Sequence, residues 1–119
     1  MMLSFSYSPE FQRDLKSYTK RWRSLPKDLQ SAQAALIVVF GGDEKIYQQF
    51  IAQKTAALLT ESDSVRIYKM RLDCKSLGND KKTRLVFIFE IIEDNIVFVE
   101  LYAKNDKDRE DSKRYEKYL

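Results

Sequence analysis

Polar and apolar residues alternate at the start of the chain. Leu3, Phe5 and Tyr7 fall on one side and Met2, Ser4 and Ser6 on the other, the period of a half-buried β-strand. Ser8-Pro9-Glu10 then reads as a helix start. Ser8 can accept from the free N–H groups, Pro9 suits the first helical position, and Glu10 sits near the positive helix end. Phe11, Leu15, Tyr18, Trp22 and Leu25 follow at spacings of four, three, four and three, which makes one apolar stripe. The opposite side carries Arg13, Lys16, Lys20, Arg21 and Arg23, a solvated face or a docking surface. Pro26 breaks the stripe and opens a second helix that buries Leu29, Ala32, Leu36 and Val39 and stops at Gly41-Gly42. Asp43 can cap a third helix, expected over 43–60, with Ile46, Tyr47, Phe50, Ile51 and Leu58 on its apolar side.

After the polar stretch 60–64 the period changes to two. Tyr68, Met70 and Leu72 alternate with Lys69, Arg71 and Asp73. Residues 74–83 read as a loop with Gly78-Asn79-Asp80 as its turn signal. Two apolar strands follow, 84–92 and 95–103, joined through Glu93-Asp94-Asn95. A three-residue loop puts Leu85, Phe87, Phe89 and Ile91 on one face with Val97, Val99 and Leu101, and a slip of one residue would invert every side chain. The tail reads as a polar helix whose apolar content is Tyr115, Tyr118 and Leu119. The order β-α-α-α-β-β-β-α in 119 residues predicts one α+β domain, with its helices packed on one face of an antiparallel sheet.

In that register the second sheet face carries Arg84, Val86, Ile88, Glu90, Ile92, Phe98, Glu100 and Tyr102. Lys69 and Arg71 join it and the face is expected to be open, so Lys69, Arg71, Arg84 and Tyr102 converge on one concave surface. Cations beside an aromatic ring suit the phosphates and bases of single-stranded RNA. The same charges also read as a solubilising face, with Glu90 and Glu100 paired to Arg71 and Arg84 across strands. The charge distribution favours neither reading by itself. Residues 66–84 hold seven cations against Asp73 and Asp80, whereas 104–118 holds six cations against five anions and the whole chain is only +3.

The composition narrows the chemistry. There is no histidine and the single cysteine is Cys74, so His-based catalysis, a thiolate zinc centre and an internal disulfide are all excluded. Two acids on one face, Glu90 and Glu100, could hold a metal, but ion pairing explains them as well. No apolar run approaches membrane-spanning length, and no basic stretch precedes an apolar one at the start, so a cytoplasmic protein with no membrane partner is expected.

The stretches SPEFQRDLKSY, YKMRL and TRLVFIFEIIEDNIVFVELYAKND, with the polar tail, resemble the RelE/ParE superfamily of toxins from bacterial type II toxin–antitoxin systems. The resemblance runs in order over most of the chain and is nearest to the RelE and HigB ribonuclease branches. It implies a toxin that cleaves mRNA, typically at the ribosome, without metal or cofactor, and a cognate antitoxin that covers its basic surface. In such a reaction the RNA 2′-OH attacks the adjacent phosphate, so a base, phosphate clamps and a proton donor are needed. By the resemblance Lys69 and Arg71 fall at the base and phosphate clamps, Arg84 at a transition-state cation, Lys104 or Arg109 at a later cation, and Tyr115 at a tail tyrosine. Lys75, Lys81, Lys82, Tyr102 and Arg109 make up the candidate RNA-contacting set, although Lys81 and Lys82 also read as a solvated loop. The segment 43–60 is additional to the pattern. A gyrase-directed toxin of the ParE kind, or a binding module on the same fold, remains an alternative.

Overall fold

The computed structural model describes residues 2–77 and 83–119. The elements run β1 (Ser4–Tyr7), α1 (Pro9–Arg21), α2 (Leu25–Val39), α3 (Glu44–Ala52), β2 (Ala56–Glu61), β3 (Val65–Leu72), a 3₁₀ turn (Lys75–Leu77), β4 (Thr83–Glu90), β5 (Asn95–Ala103) and α4 (Lys113–Glu116). One five-stranded sheet has the order β1-β5-β4-β3-β2; β1 is parallel to β5 and the other neighbours are antiparallel. The α+β architecture, with α1, α2 and α3 packed on one sheet face, agrees with the sequence pattern.

Ser8 caps α1 as its chemistry suggests, its Oγ accepting from the Phe11 N–H at 3.1 Å. The α1 stripe delivers Phe11 to the core, with Leu15, Tyr18 and Trp22 packed against it. Strand β1 ends at Tyr7, so β5 beyond that point has N–H groups without a strand partner. Helix α1 supplies acceptors instead: Asp14 takes the Leu101 N–H at 3.0 Å and the Tyr18 hydroxyl takes the Ala103 N–H at 3.3 Å.

Three expectations are corrected. The segment 43–60 is not one helix: α3 stops at Ala52 and residues 56–61 form the edge strand β2. The helical spacing ends with Ile51. Ala56, Ala57, Leu58 and Leu59 are good helix formers locally, yet pairing with β3, Ala56 opposite Met70 and Leu58 opposite Tyr68, decides their state. The chain reverses through Lys54, which sits in the left-handed region at φ 58°.

The hairpin register also differs. Glu90 pairs with Asn95, so the loop is Ile91–Asp94, four residues rather than three, with Asp94 at φ 50°. The register then shifts: Phe87 pairs with Phe98 but Val86 pairs with Glu100, leaving Val99 as an extra residue. Ile96 and Phe98 therefore enter the helix-side core with Leu85, Phe87 and Leu101. Val97 and Val99 move to the other face with Val86 and Ile88.

That second face is not open. Val65, Ile67, Val86, Ile88, Val97, Val99 and Tyr102 form a second buried cluster, and Leu59, Tyr115 and Tyr118 cover it. The polar tail is thus a strap across the sheet, tied at several points. Asp106 accepts from Tyr18 Oη at 2.8 Å and Arg21 Nη1 at 2.7 Å; Lys107 pairs with Glu100, Arg114 with Asp14, and Lys117 with Glu10.

Candidate nucleic-acid interface

The side-chain rows of the second face can be followed across the strands. One row is Ala57–Lys69–Val86–Glu100, and the next is Arg71–Arg84–Tyr102. Arg71 and Arg84 are direct cross-strand partners. The two rows lie two residues apart along β3, about 6.6 Å. Beyond the reach of α4 they open into a cleft of about 220 Å³ lined by Lys54, Thr55, Ala56, Ala57, Lys69, Met70, Arg71, Arg84 and Lys104. Among the described residues the lining thus holds five cations and no acid.

Taken as a pair, like charges placed directly opposite on a sheet repel. Burial, and then the Arg71 charge, pull the Arg84 guanidinium below its ordinary value. Arg84 also donates from Nη1 to the Thr83 carbonyl at 3.2 Å, which holds its fork in place. A bound anion would offset the repulsion, and two adjacent guanidinium groups match the oxygens of a phosphate.

At the edge of the cleft Lys69 Nζ donates to Glu110 Oε2 at 3.0 Å. The Tyr102 hydroxyl reaches the same oxygen at 3.5 Å. Burial by itself raises the Glu110 carboxyl, but its own backbone N–H and the Lys69 ammonium outweigh that and hold it below its ordinary value. Burial, with the Glu110 and Glu100 charges behind it, pushes the Tyr102 phenol up to about 12, so it stays protonated and acts as a donor.

The structure brings together four of the residues singled out in the sequence: Lys69, Arg71, Arg84 and Lys104. Tyr115 does not line the cleft; it packs against the second-face cluster on the Glu110 side. Tyr102 is 1% exposed and the Lys107 ammonium stands 5.3 Å from its ring centroid, so the expectation that its ring meets an RNA base is corrected. Lys75 is exposed in the 3₁₀ turn, its backbone N–H tied to Asp28 at 3.2 Å, away from the cleft lining. Arg109 is exposed on the strap and acts on Glu110 only through its charge. Lys81 and Lys82 lie outside the described residues. Glu100 pairs with Lys107, and Glu90 accepts from Asn95 Nδ2 at 2.7 Å. Sequence reasoning missed Lys54 and Glu110. Lys54 was hidden inside an expected helix; its usable signal was the end of the helical spacing just before it.

Among the described residues no three His, Cys, Asp or Glu side chains gather where they could hold a metal ion. Among them, too, no helix is long and apolar enough to cross a membrane.

The fold and cleft together define a small α+β domain whose sheet presents a cation-lined cleft beside a C-terminal strap. A solved structure with this architecture is the archaeal RelE–RelB complex from Pyrococcus horikoshii OT3. A chain of that complex superimposes with a TM-score of 0.56, at 13% identity, over 90% of this chain and 100% of that one. At that identity the likeness shows a shared RelE-like fold. No protein-family model matches the sequence, and no curated protein does.

Proposed function

We propose that this chain is the toxin of a type II toxin–antitoxin pair and acts as a metal-independent endoribonuclease on mRNA, at the ribosome, thereby inhibiting translation. The observation that carries the reading is the cleft in which Arg71 faces Arg84 with Lys54, Lys69 and Lys104 around them. Such a cleft supplies what RNA transesterification needs most, fixed positive charge where the phosphorane oxygens develop negative charge. The RelE-like fold adds support, because the neighbouring structure is a RelE–RelB complex. The partner of this chain would correspondingly be an antitoxin, an acidic segment laid over the basic cleft or over the groove beside α1 formed by Leu15, Lys16, Lys20, Arg23 and Pro26.

The test is induced expression without an antitoxin, with mRNA ends mapped by primer extension, for the wild type, Arg71→Ala and Arg84→Ala. Growth arrest with new mRNA ends in the wild type, relieved in both variants at equal protein level, is the expected outcome. Arrest with intact mRNA would replace this reading with a protein target such as gyrase. No arrest from folded wild-type protein would leave a binding module.

A further inference from the structure

The reaction just proposed needs a group that takes the 2′-OH proton, and the resemblance places Lys69 there. We infer that Glu110 of the strap, and not Lys69, is that proton acceptor; the inference rests on the endoribonuclease reading.

Four observations carry it. First, the two arginines and the Lys69 that the resemblance puts at this role are unsuited as acceptors. Arginine stays protonated, and Lys69 already donates its ammonium hydrogen to Glu110. In a contact between an ammonium and a carboxylate, the free lone pairs belong to the carboxylate. Second, Glu110 is fixed rather than trailing. Its side chain is 13% exposed and held by both Lys69 and Tyr102. Its neighbours on the strap are pinned, Asp111 by its N–H to Glu100 Oε1 at 2.8 Å and Lys107 by its pairing with Glu100. Third, the position is right. Tyr102 belongs to the Arg71–Arg84 row, yet its hydroxyl points to Glu110, so the carboxylate stands one row from the guanidinium pair. A 2′-OH adjacent to a phosphate held there would fall between them. Fourth, the groups facing Glu110 are Lys69 from β3, Tyr102 from β5, and Arg109 and Tyr115 from the strap and α4. Of these, Lys69 and Arg109, together with its own backbone N–H, keep it ionised in the free protein, and an incoming phosphate would raise its basicity.

The step balances as follows. The 2′-OH proton passes to Glu110 Oε and the 2′-oxygen forms a bond to phosphorus. The P–O5′ bond breaks with its electron pair on the 5′-oxygen, which takes a proton from water at the open mouth of the cleft. The products are a 2′,3′-cyclic phosphate and a 5′-hydroxyl, and the Glu110 proton is released to solvent. Lys69 orients the carboxylate, and Arg71 and Arg84 hold the phosphate.

The experiment is single-turnover cleavage by the full chain of an oligoribonucleotide carrying a mapped site, free or on a programmed ribosome. Glu110→Gln and Glu110→Ala are compared with wild type across pH, and binding is measured on the 2′-deoxy analogue. Loss of a general base lowers the rate by about 10²- to 10⁴-fold. The expected result for Glu110→Gln is such a loss, with binding unchanged or tighter and the acid limb of the wild-type pH–rate profile gone. Formate, a small carboxylate, should restore part of the Glu110→Ala rate. Cleavage by Glu110→Gln at the wild-type rate or faster overturns the inference and makes Glu110 only a counter-ion for Lys69. A loss that formate does not rescue, with the acid limb retained, also overturns it, in favour of a structural strap contact. Wild-type protein that cleaves neither RNA overturns the endoribonuclease reading itself, a distinct failure.

Discussion

Arg71 and Arg84 face each other directly across β3 and β4, in a cleft whose lining, among the described residues, carries no acid. A cross-strand pair of opposite charge there would stabilise the sheet by about 0.2–1 kcal/mol, and a like pair costs a similar amount. An anion bridging the two guanidinium groups would relieve their mutual repulsion. Arg71→Met should raise the urea midpoint, by up to about 1 kcal/mol of stability. Inorganic phosphate should stabilise the wild type more than this variant, and the difference should shrink as salt screens the site. A variant less stable than wild type, with an unchanged response to phosphate, would show that the two guanidinium groups are held by other contacts and do not form an anion site.

The strap is held mainly by carboxylates whose acidity has been strengthened, which gives its attachment a defined pH dependence. Asp106 is held below its ordinary 3.8 by the Tyr18 hydroxyl and Arg21. Glu10 lies below 4.5 through its own backbone N–H and Lys117, and Glu110 lies below 4.5 despite its burial. Each group binds its proton more weakly folded than unfolded. The stabilisation is therefore complete above the ordinary carboxylate values and is lost as pH falls through the lower, folded ones. Amide exchange across residues 104–118, corrected for intrinsic rates, should show protection that is flat near neutrality and falls as the pH drops below about 4.5. Protection of β4 should persist further into acid. Glu110→Gln should remove part of the acid dependence. Loss of strap protection on raising the pH from neutrality would contradict the assignment.

Most of the fold and part of the cleft were legible from local pattern, and the exceptions share a cause. Tyr68, Met70 and Leu72 alternate with Lys69 and Arg71 so regularly that their faces needed no structure. Residues 96–101, Ile-Val-Phe-Val-Glu-Leu, satisfy either parity until Glu100, because both sheet faces are covered and apolar residues are welcome on each. The pattern alone could not reveal the extra residue at Val99, nor that Phe98 turns inward. Strand β2 was masked by alanines and leucines that favour a helix locally and become a strand only by pairing with β3. The Lys69–Glu110 contact joins residues 41 apart in sequence, and nothing in the periodicity of the tail marks one carboxylate among five anions.

Lys54 links the missed strand to the site. It occupies a left-handed backbone conformation, φ 58°, at the turn between α3 and β2, where its side chain lines the cleft. A non-glycine residue in that region costs about 1–2 kcal/mol, and glycine there would cost nothing sterically. Retaining lysine is reasonable if its ammonium binds an anion at the cleft. Lys54→Gly should raise stability by about 1 kcal/mol in urea unfolding and weaken binding of a single-stranded oligoribonucleotide. Its salt dependence should fall by roughly the equivalent of one phosphate contact. Lys54→Ala separates the two effects, because it removes the cation but keeps the backbone strain: it should weaken binding to the same degree without the gain in stability. If Lys54→Gly gains stability and binds with unchanged affinity and salt slope, the residue is only a strained turn, and the cleft works with the four cations from β3, β4 and the end of β5.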